Sequence, residues 1–377
     1  MSRPSILALG RFDGDAGTEH VSAIVLGDLA RDCDVRLLAW GTAGSFFAQL
    51  RPALAGLYRF STGRGSGVRN ALRLWLHIAR FRPRAVIAFD YRMALPLGMA
   101  LGWLPVSLRP RSVLSHHLPL AFRLAQAAPR ERRRAMACLP RFDMHTVPSA
   151  PIAGELQQVL PALPAERIRV LPNGVDVAAL QLRAQETSPL PLQEGARFRC
   201  VFVGALRPDK RVDLLLQALH ALPERQACQL LVIGDGSERE RLQAEMERLQ
   251  LGEHCVFVGA VANPHPLLAA ADLYVQISRR ETFGLAPLEA MAHGVPVLAM
   301  CEQPDGLRTV LQDGVQGRLL EGQDAEAFAV AWHALLQDNE ARRRMGEAGR
   351  AQAARFSLAA MCDGYRRLLG VEAGHAG

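Results

Sequence analysis

Two glutamates, Glu281 and Glu289, bracket the run Glu281-Thr-Phe-Gly-Leu-Ala-Pro-Leu-Glu289. A strand-like stretch, 272–278, leads into the first, and a helix-forming stretch, 286–292, carries the second. A carboxylate in the loop after a strand and another one turn into the next helix can hold one ligand at two points. Between them, free N–H groups at a helix start favour an anion. Together these groups suit a sugar joined to a nucleoside through a diphosphate. Alone, the spacing says less, because glutamate is common in first helical turns.

Lysine usage points the same way. The chain holds 44 Lys+Arg, yet only Lys210 is lysine. It closes the turn Gly204-Ala-Leu-Arg-Pro-Asp-Lys210 between a strand at 199–203 and a helix at 212–222. A compact ammonium fits beside a phosphate where a planar guanidinium is too broad.

Positioning these groups takes a large framework. At 377 residues the chain exceeds what one core usually serves, so two domains are expected. Hydrophobic content of 49% with 21% charged residues describes a folded globular protein rather than a disordered one. Apolar runs alternate with amphipathic stretches throughout, the pattern of parallel α/β sheets. Strands are expected at 5–9, 34–40, 85–90, 112–115, 144–148 and 168–172. A second set follows at 199–203, 229–233, 255–259, 273–277, 295–300 and 317–320. Each set suffices for one doubly wound Rossmann-like domain. The expected division is residues 1–180, a Pro-containing linker at 182–196, residues 197–355, and a last helix from 356 packing back on the first domain. The tail 371–377 is expected to fray.

Seven cysteines are dispersed without a C-x-x-C pair, which reads as reduced thiols in a cytoplasmic protein. No secretory leader is expected from 5–10, and the uncharged stretch 93–108 is interrupted by Pro96 and Pro105, too short to span a bilayer. Charge is uneven. Residues 1–170 hold 23 Arg against 11 acidic side chains, a balance of +12, and the remainder holds 21 Lys+Arg against 26, a balance of −5, consistent with +7 overall. The first half is therefore expected to face an anionic partner. Nucleic acid is not expected, since no binding signature is present and aromatics are only 6%. An anionic membrane surface or charged glycolipid fits better. The basic amphipathic stretch 68–82 adds to this, with Arg69, Arg73 and Arg80 among Leu72, Trp75 and Leu76. The first reading of such a stretch is an ordinary domain helix with its apolar side on the sheet and its arginines in water.

Taken in order, Gly204-x5-Lys210, the Glu281-x7-Glu289 pair and Asn173-Gly-Val-Asp176 resemble the retaining nucleotide-sugar glycosyltransferases of family 4. The turns Ile233-Gly-Asp-Gly-Ser237 and Asp313-Gly-Val-Gln-Gly317 match as well. The resemblance implies a GT-B fold, two Rossmann-like domains facing across a cleft, and a hexosyl-transferring, metal-independent enzyme. It implies a nucleoside-diphosphate sugar as donor, no further cofactor, and a saccharide or lipid-linked saccharide hydroxyl as acceptor. The setting implied is bacterial surface polysaccharide, lipopolysaccharide or glycolipid assembly, in the cytoplasm or on the inner face of the plasma membrane.

Site roles follow from the same resemblance. Glu289 would accept the ribose hydroxyls, and Glu281 would lie by the transferred sugar. Backbone amides of Phe283, Gly284 and Leu285 would bind sugar or phosphate oxygens, and Lys210 would neutralise the departing diphosphate. Gly17 would let the first domain's backbone approach the donor, and His116, after the strand 112–115, would face the sugar. His117 is expected to point to the other face by strand alternation. Two positions depart from the family pattern. Ala205 stands where a second cation is usual, leaving Arg207 as the substitute, and Ala16 stands where a glycine is usual. An epimerase of the same fold, or a non-catalytic partner subunit, is the alternative.

Overall fold

The computed structural model describes residues 3–12, 17–60, 66–186, 197–223, 227–302 and 306–371. They form two compact units. The first runs to Asn173 and is rejoined by residues from Ala359 onward; the second is Gly174–Leu358.

In the first unit β1 (Ser5–Arg11), β2 (Asp34–Trp40), β3 (Gly56–Arg59), β4 (Ala85–Ala88), β5 (Arg111–Ser115), β6 (Met144–Val147) and β7 (Ile168–Val170) alternate with helices. Their order in the sheet is β3-β2-β1-β4-β5-β6-β7, and every pair is parallel. The second unit repeats the plan with β8 (Phe198–Val203), β9 (Cys228–Ile233), β10 (Cys255–Gly259), β11 (Leu273–Ser278), β12 (Val297–Cys301) and β13 (Gly317–Glu321). Its order is β10-β9-β8-β11-β12-β13, again all parallel. Helices on both faces bury these strands, so β4, β9 and β11 are buried along their whole length and read as continuous apolar runs.

Of the thirteen strands among the described residues, β3 is the one not expected from sequence. Gly-Leu-Tyr-Arg is four residues long, pairs on one side with β2 and is only half covered, so it carries no sustained apolar run. The division between units also falls elsewhere than near residue 180. Val175 donates to Phe356 O at 2.8 Å and accepts from Leu358 N at 3.3 Å, which draws the helix Val177–Arg183 into the second unit. A Cβ on Gly174 would lie 2.4 Å from Ser357 O, so only glycine permits this approach. Of the segment read as a linker, 187–196 lie outside the described residues, as do Ala16 and the tail 372–377.

The last helix, Leu358–Leu369, is anchored in the first unit. Arg366, 6% exposed at its side chain, reaches Asp28 Oδ2 at 2.7 Å and Asp32 at 2.9 Å. Tyr365 OH lies 2.7 Å from Ser115 Oγ. Two carboxylates thus compensate a guanidinium that burial would otherwise penalise heavily. All seven cysteines are buried thiols without disulfides, and no helix among the described residues is long and apolar enough to cross a membrane.

Candidate active site

Each sheet reverses its strand order between its first and fourth strands. Loops leaving the carboxyl ends of those two strands part there and open a crevice. In the second unit these strands are β8 and β11. The loop after β8 carries Lys210, and the loop after β11 carries Glu281.

Glycines set the first loop. Gly234, at φ +140°, follows β9, and a Cβ there would lie 1.9 Å from Gly204 O. A Cβ on Gly236 would lie 2.3 Å from Leu206 O. The two loops are bonded by Gly204 N to Ile233 O, Leu206 N to Asp235 O and Glu238 N to Leu206 O, at 2.9–3.0 Å. A side chain at Gly234 would have to push the loop that carries Lys210 out of place. Gly234→Ala is expected to cost about 2–4 kcal/mol of stability, read as a lowered denaturant midpoint. An unchanged midpoint would refute the packing argument.

Lys210 ends a short 3-10 turn, Pro208–Lys210, and Arg211 beyond it takes a left-handed φ of +41°. Such backbone is strained for a side-chain-bearing residue. Arg211 is held there by Asp213 at 3.1 Å and by Gln323. The second loop is tied to the first by Arg279 N donating to Asp209 O at 2.8 Å.

Lys210 Nζ donates to Glu281 Oε1, forming an ion pair whose side chains are 18% and 10% exposed. Gln276 Nε2 donates to the same oxygen at 2.8 Å, and Ser278 Oγ at 3.2 Å. Tyr274 OH backs Gln276 Oε1 at 2.9 Å and lies 3.3 Å from Val203 O. Burial pushes the Tyr274 hydroxyl's pKa up, Glu281 adding to it, so the tyrosine stays a neutral donor. All donors to the Glu281 carboxylate among the described residues meet Oε1. The carboxylate is therefore gripped through one oxygen by three groups, a preorganised acceptor rather than a mobile surface acid.

Tyr274, Gln276 and Ser278 escaped the sequence reading. Their signal is legible in retrospect: polar residues at every second position put one polar face on a strand that is otherwise buried and apolar.

Glu289 lies in the helix Leu285–Ala292, entered through Gly284 at φ +95°. A Cβ on Gly284 would meet Leu307 Cδ1 at 2.5 Å. Phe283 is buried, its ring edge-on to Phe356 at 5.5 Å, so its side chain anchors the loop and only its backbone is available to a ligand. Among the described residues, no acceptor meets the N–H groups of Phe283, Gly284 and Leu285, which start the helix. Glu289 keeps some exposure as a residue, but its carboxyl group is closely surrounded. Lost solvation pushes its pKa up to about 7, opposed by Arg183. Arg183, from the helix Val177–Arg183, was not foreseen, and no sequence pattern marks it.

The other expected residues divide. Arg207, the proposed second cation, is exposed and turned on its own loop, gripping Asp209 through Nε at 3.0 Å and Nη2 at 2.9 Å. It reaches a diphosphate only by releasing that carboxylate. Gly17 opens the helix Gly17–Leu29 at the end of β1. The Asp313–Gly317 turn precedes β13, at the amino end of the sheet, so it is structural; Asp313 caps Leu319 N at 2.9 Å.

His116 is buried. Its Nε2 lies 3.0 Å from His145 Nδ1, and His145 Nε2 lies 3.1 Å from Leu139 O. A carbonyl only accepts, so His145 carries its proton on Nε2 and offers Nδ1 to the Nε2–H of His116. Burial holds His145 at a pKa of about 4 and His116 well below the usual imidazole value, the neighbouring histidines adding to the latter. His116 is thus a neutral ring with its one proton committed, able to accept at Nδ1 but not to donate. His117 points to the opposite face from His116, as expected: it shares its face with Ser115 and Thr146, whereas His116 shares its face with His145. It bonds Ser115 Oγ at 3.1 Å and shares a small hollow with His116, Thr18, Phe89, Asp90 and Arg123. Strand alternation thus continues past the end of β5 at Ser115, and both histidines still reach the hollow because it lies beyond the strand's carboxyl end. Asp90, 3.5 Å from Arg123, is a further polar group of this hollow that the sequence did not single out.

Two parallel Rossmann sheets of seven and six strands, with a lysine–glutamate pair at the reversal point of the second, define a tandem doubly wound α/β framework. The chain belongs to glycosyltransferase family 4, with the GT-B fold: the profile described as Glycosyltransferase Family 4 matches residues 17–179, and Glycosyl transferases group 1 matches 184–352. It is 35% identical over 215 residues to a D-inositol 3-phosphate glycosyltransferase of Nocardia farcinica, covering 53% of this chain and 46% of that protein. It is 33% identical over 161 residues to the lipopolysaccharide core biosynthesis glycosyltransferase LpsE of Rhizobium meliloti, covering 42% and 46%. The chain thus spans about half the length of the curated relatives it matches. Its fold is similar to that of Anabaena Alr3699/HepE, solved in complex with UDP and glucose, with a TM-score of 0.80 at 20% identity over 97% of this chain and 99% of that one.

Proposed function

We propose that this protein transfers a hexosyl group from a nucleoside-diphosphate sugar to a hydroxyl acceptor, with retention at the anomeric carbon and without a metal ion. The second unit takes the donor and the first takes the acceptor. The observation that carries this reading is the partly buried Lys210–Glu281 pair at the strand-order reversal, with unsatisfied amides and Glu289 on the helix that follows. The family relatives support it, since several are named as glycosyltransferases.

In this reading the ribose hydroxyls donate to Glu289. The diphosphate oxygens take the amides of residues 283–285 and the Lys210 ammonium, which supplies the charge a divalent ion supplies elsewhere. Glu281, gripped through Oε1, offers Oε2 to hydroxyls of the sugar. The bond between anomeric carbon and diphosphate oxygen breaks, leaving oxocarbenium character. The acceptor oxygen then bonds to the same face, and its proton passes to the departing diphosphate. His116 accepts a hydrogen bond at Nδ1 and plays no acid role. The acceptor is a saccharide or lipid-linked saccharide of bacterial surface polysaccharide, lipopolysaccharide or glycolipid assembly, as the relative named for lipopolysaccharide core biosynthesis suggests.

Thermal-shift screening against UDP-, GDP-, ADP- and dTDP-sugars tests the donor class. One nucleotide series should raise the melting temperature, by about 2.7 kcal/mol of linkage at a hundredfold excess over Kd. A flat response to the whole panel would defeat the enzyme reading in favour of a partner subunit. Turnover of a nucleotide sugar without acceptor would favour the epimerase.

A further inference from the structure

The helix Val177–Arg183 belongs to neither of the loops that carry Lys210 and Glu281, yet its last residue borders Glu289. Leu180, buried, packs into one core with Leu288, Ala290 and Met291, which flank Glu289 on its own helix. One turn further, Arg183 Nη2 donates to Ala262 O at 3.0 Å, in the loop after β10. Asn263 Nδ2 returns from that loop to Arg183 O at 2.8 Å and to Glu186 Oε2 at 2.7 Å. Backbone and guanidinium of Arg183 are thus pinned to the same loop.

A neutral side chain could satisfy Ala262 O equally well, since that bond uses a single N–H. What only a cation adds here is its field on Glu289. The Glu289 carboxyl is closely surrounded, and Arg183 opposes its loss of water through charge rather than through a hydrogen bond. The other ionisable groups packed around this helix are committed elsewhere or neutral. Tyr274 on β11 stays a neutral hydroxyl. His293, at the helix's carboxyl end, meets His265 at 3.2 Å, and burial, with Arg350 adding to it, holds its pKa below the usual imidazole value. Arg350, from the helix Asn339–Ala353, donates to His293 O at 3.1 Å. Asp176 caps the far end of the helix Val177–Arg183 through Ala179 N at 3.0 Å. β12 brings apolar side chains up to Cys301.

We propose that Arg183 is a positioning residue for the donor, keeping Glu289 ionised so that both carboxylate oxygens accept from the ribose hydroxyls. The inference rests on the reading in which Glu289 takes the ribose. It extends the donor site to a helix outside the two strand-exit loops. A protonated carboxyl would turn an O–H towards a diol whose own protons need acceptors. Arg183 tips that balance without touching the ligand.

Calorimetric titration of the full chain with UDP, GDP and ADP, from about pH 5 to about pH 9, tests it. Wild-type affinity for the nucleotide that binds should rise through about pH 7. Arg183→Gln keeps an N–H for Ala262 O and removes the charge. Its midpoint should move up by about one pH unit, making binding about fivefold weaker at about pH 7 and nearly equal at about pH 9. Arg183→Lys restores the charge and should bring the midpoint back. Folding gives a second reading without ligand. Arg183→Gln should lose more stability at about pH 8, where Glu289 must ionise, than at about pH 5, where it keeps its proton. Arg248→Gln, which breaks an exposed pair with Glu245, is the control and should match wild type in both measurements.

A midpoint unmoved in Arg183→Gln overturns the proposal and leaves Arg183 as a clamp on Ala262. So does an equal shift in Arg183→Lys, a wild-type affinity that is flat with pH, or a stability loss that is the same at both pH values. Wild-type protein that binds none of the three nucleotides removes the donor reading, and this role with it. The folding data would then still report whether the two charges are coupled.

Discussion

Lys210→Ala is expected to lower sugar transfer by about 10²–10³-fold, the usual cost of removing one preorganised charge partner of a transition state. The loss should fall on the chemical step, with a smaller change in donor affinity. Because Glu281 is nearly buried and shares its Oε1 with Lys210, the same substitution also strands a carboxylate. A stability cost of about 3 kcal/mol follows. A low activity could then be blamed on unfolding. The double variant Lys210→Met/Glu281→Gln separates the two effects, since it removes both charges and keeps Gln276 and Ser278 as partners for residue 281. It should recover most of the stability and none of the transfer. Wild-type rates in folded Lys210→Ala protein would remove the lysine from the mechanism. Recovery of transfer by the double variant would show that Lys210 serves only to neutralise Glu281.

Replacing Glu289 by glutamine is expected to act in opposite directions on stability and binding. Its folded pKa of about 7 lies above the ordinary carboxylate value of 4.5, chiefly because the carboxyl group loses water. The sign is the reverse of a salt-bridged carboxylate. Below the unfolded value the group is protonated in both states and contributes nothing. As pH rises from there to about 7, the unfolded chain ionises first, so stability falls. Above about 7 the penalty is complete. The full shift corresponds to roughly 3 kcal/mol, and residual solvent contact reduces this to about 1–2 kcal/mol. Glu289→Gln should therefore stabilise the protein by about that amount at pH 8 and by little near pH 5. Ribose hydroxyls donating to a carboxylate favour its ionised form, so donor affinity should rise with pH through 7 in the wild type. The variant should bind donor about 30–100-fold more weakly, with no such pH dependence. A variant less stable than wild type at pH 8, with donor affinity unchanged, would assign Glu289 a purely structural role.

Both predictions concern residues that stand out in the sequence for a physical reason. Lys210 is the sole lysine of an arginine-rich chain, and Glu281 and Glu289 occupy a strand exit and the following helix. The neighbours that tune them were far less legible. Gln276 and Ser278 sit in a buried strand whose apolar content dominates any periodicity count, so the polar alternation is visible only once Glu281 is known to need donors. Arg183 reaches the vicinity of Glu289 from a helix, Val177–Arg183, whose end falls in the segment read from sequence as a linker. Arg207 shows the converse. Its position in the turn suggested a cation for the diphosphate, but a carboxylate two residues away captures its guanidinium.

The parallel α/β plan of two tandem sheets, twelve of the thirteen strands among the described residues and the identities of the charged pair were legible in the amino acids themselves. Local periodicity, glycine-bounded turns and a rare residue type are properties of short windows of chain. The edge strand β3, the proton positions of the His116–His145 pair and the single-oxygen grip on Glu281 belong to tertiary structure alone. Each depends on which groups meet after distant segments pack, and on how much water that packing removes. Solvent exclusion and partner geometry determine whether a carboxylate is a spectator or a poised acceptor. Neither is encoded at any one position.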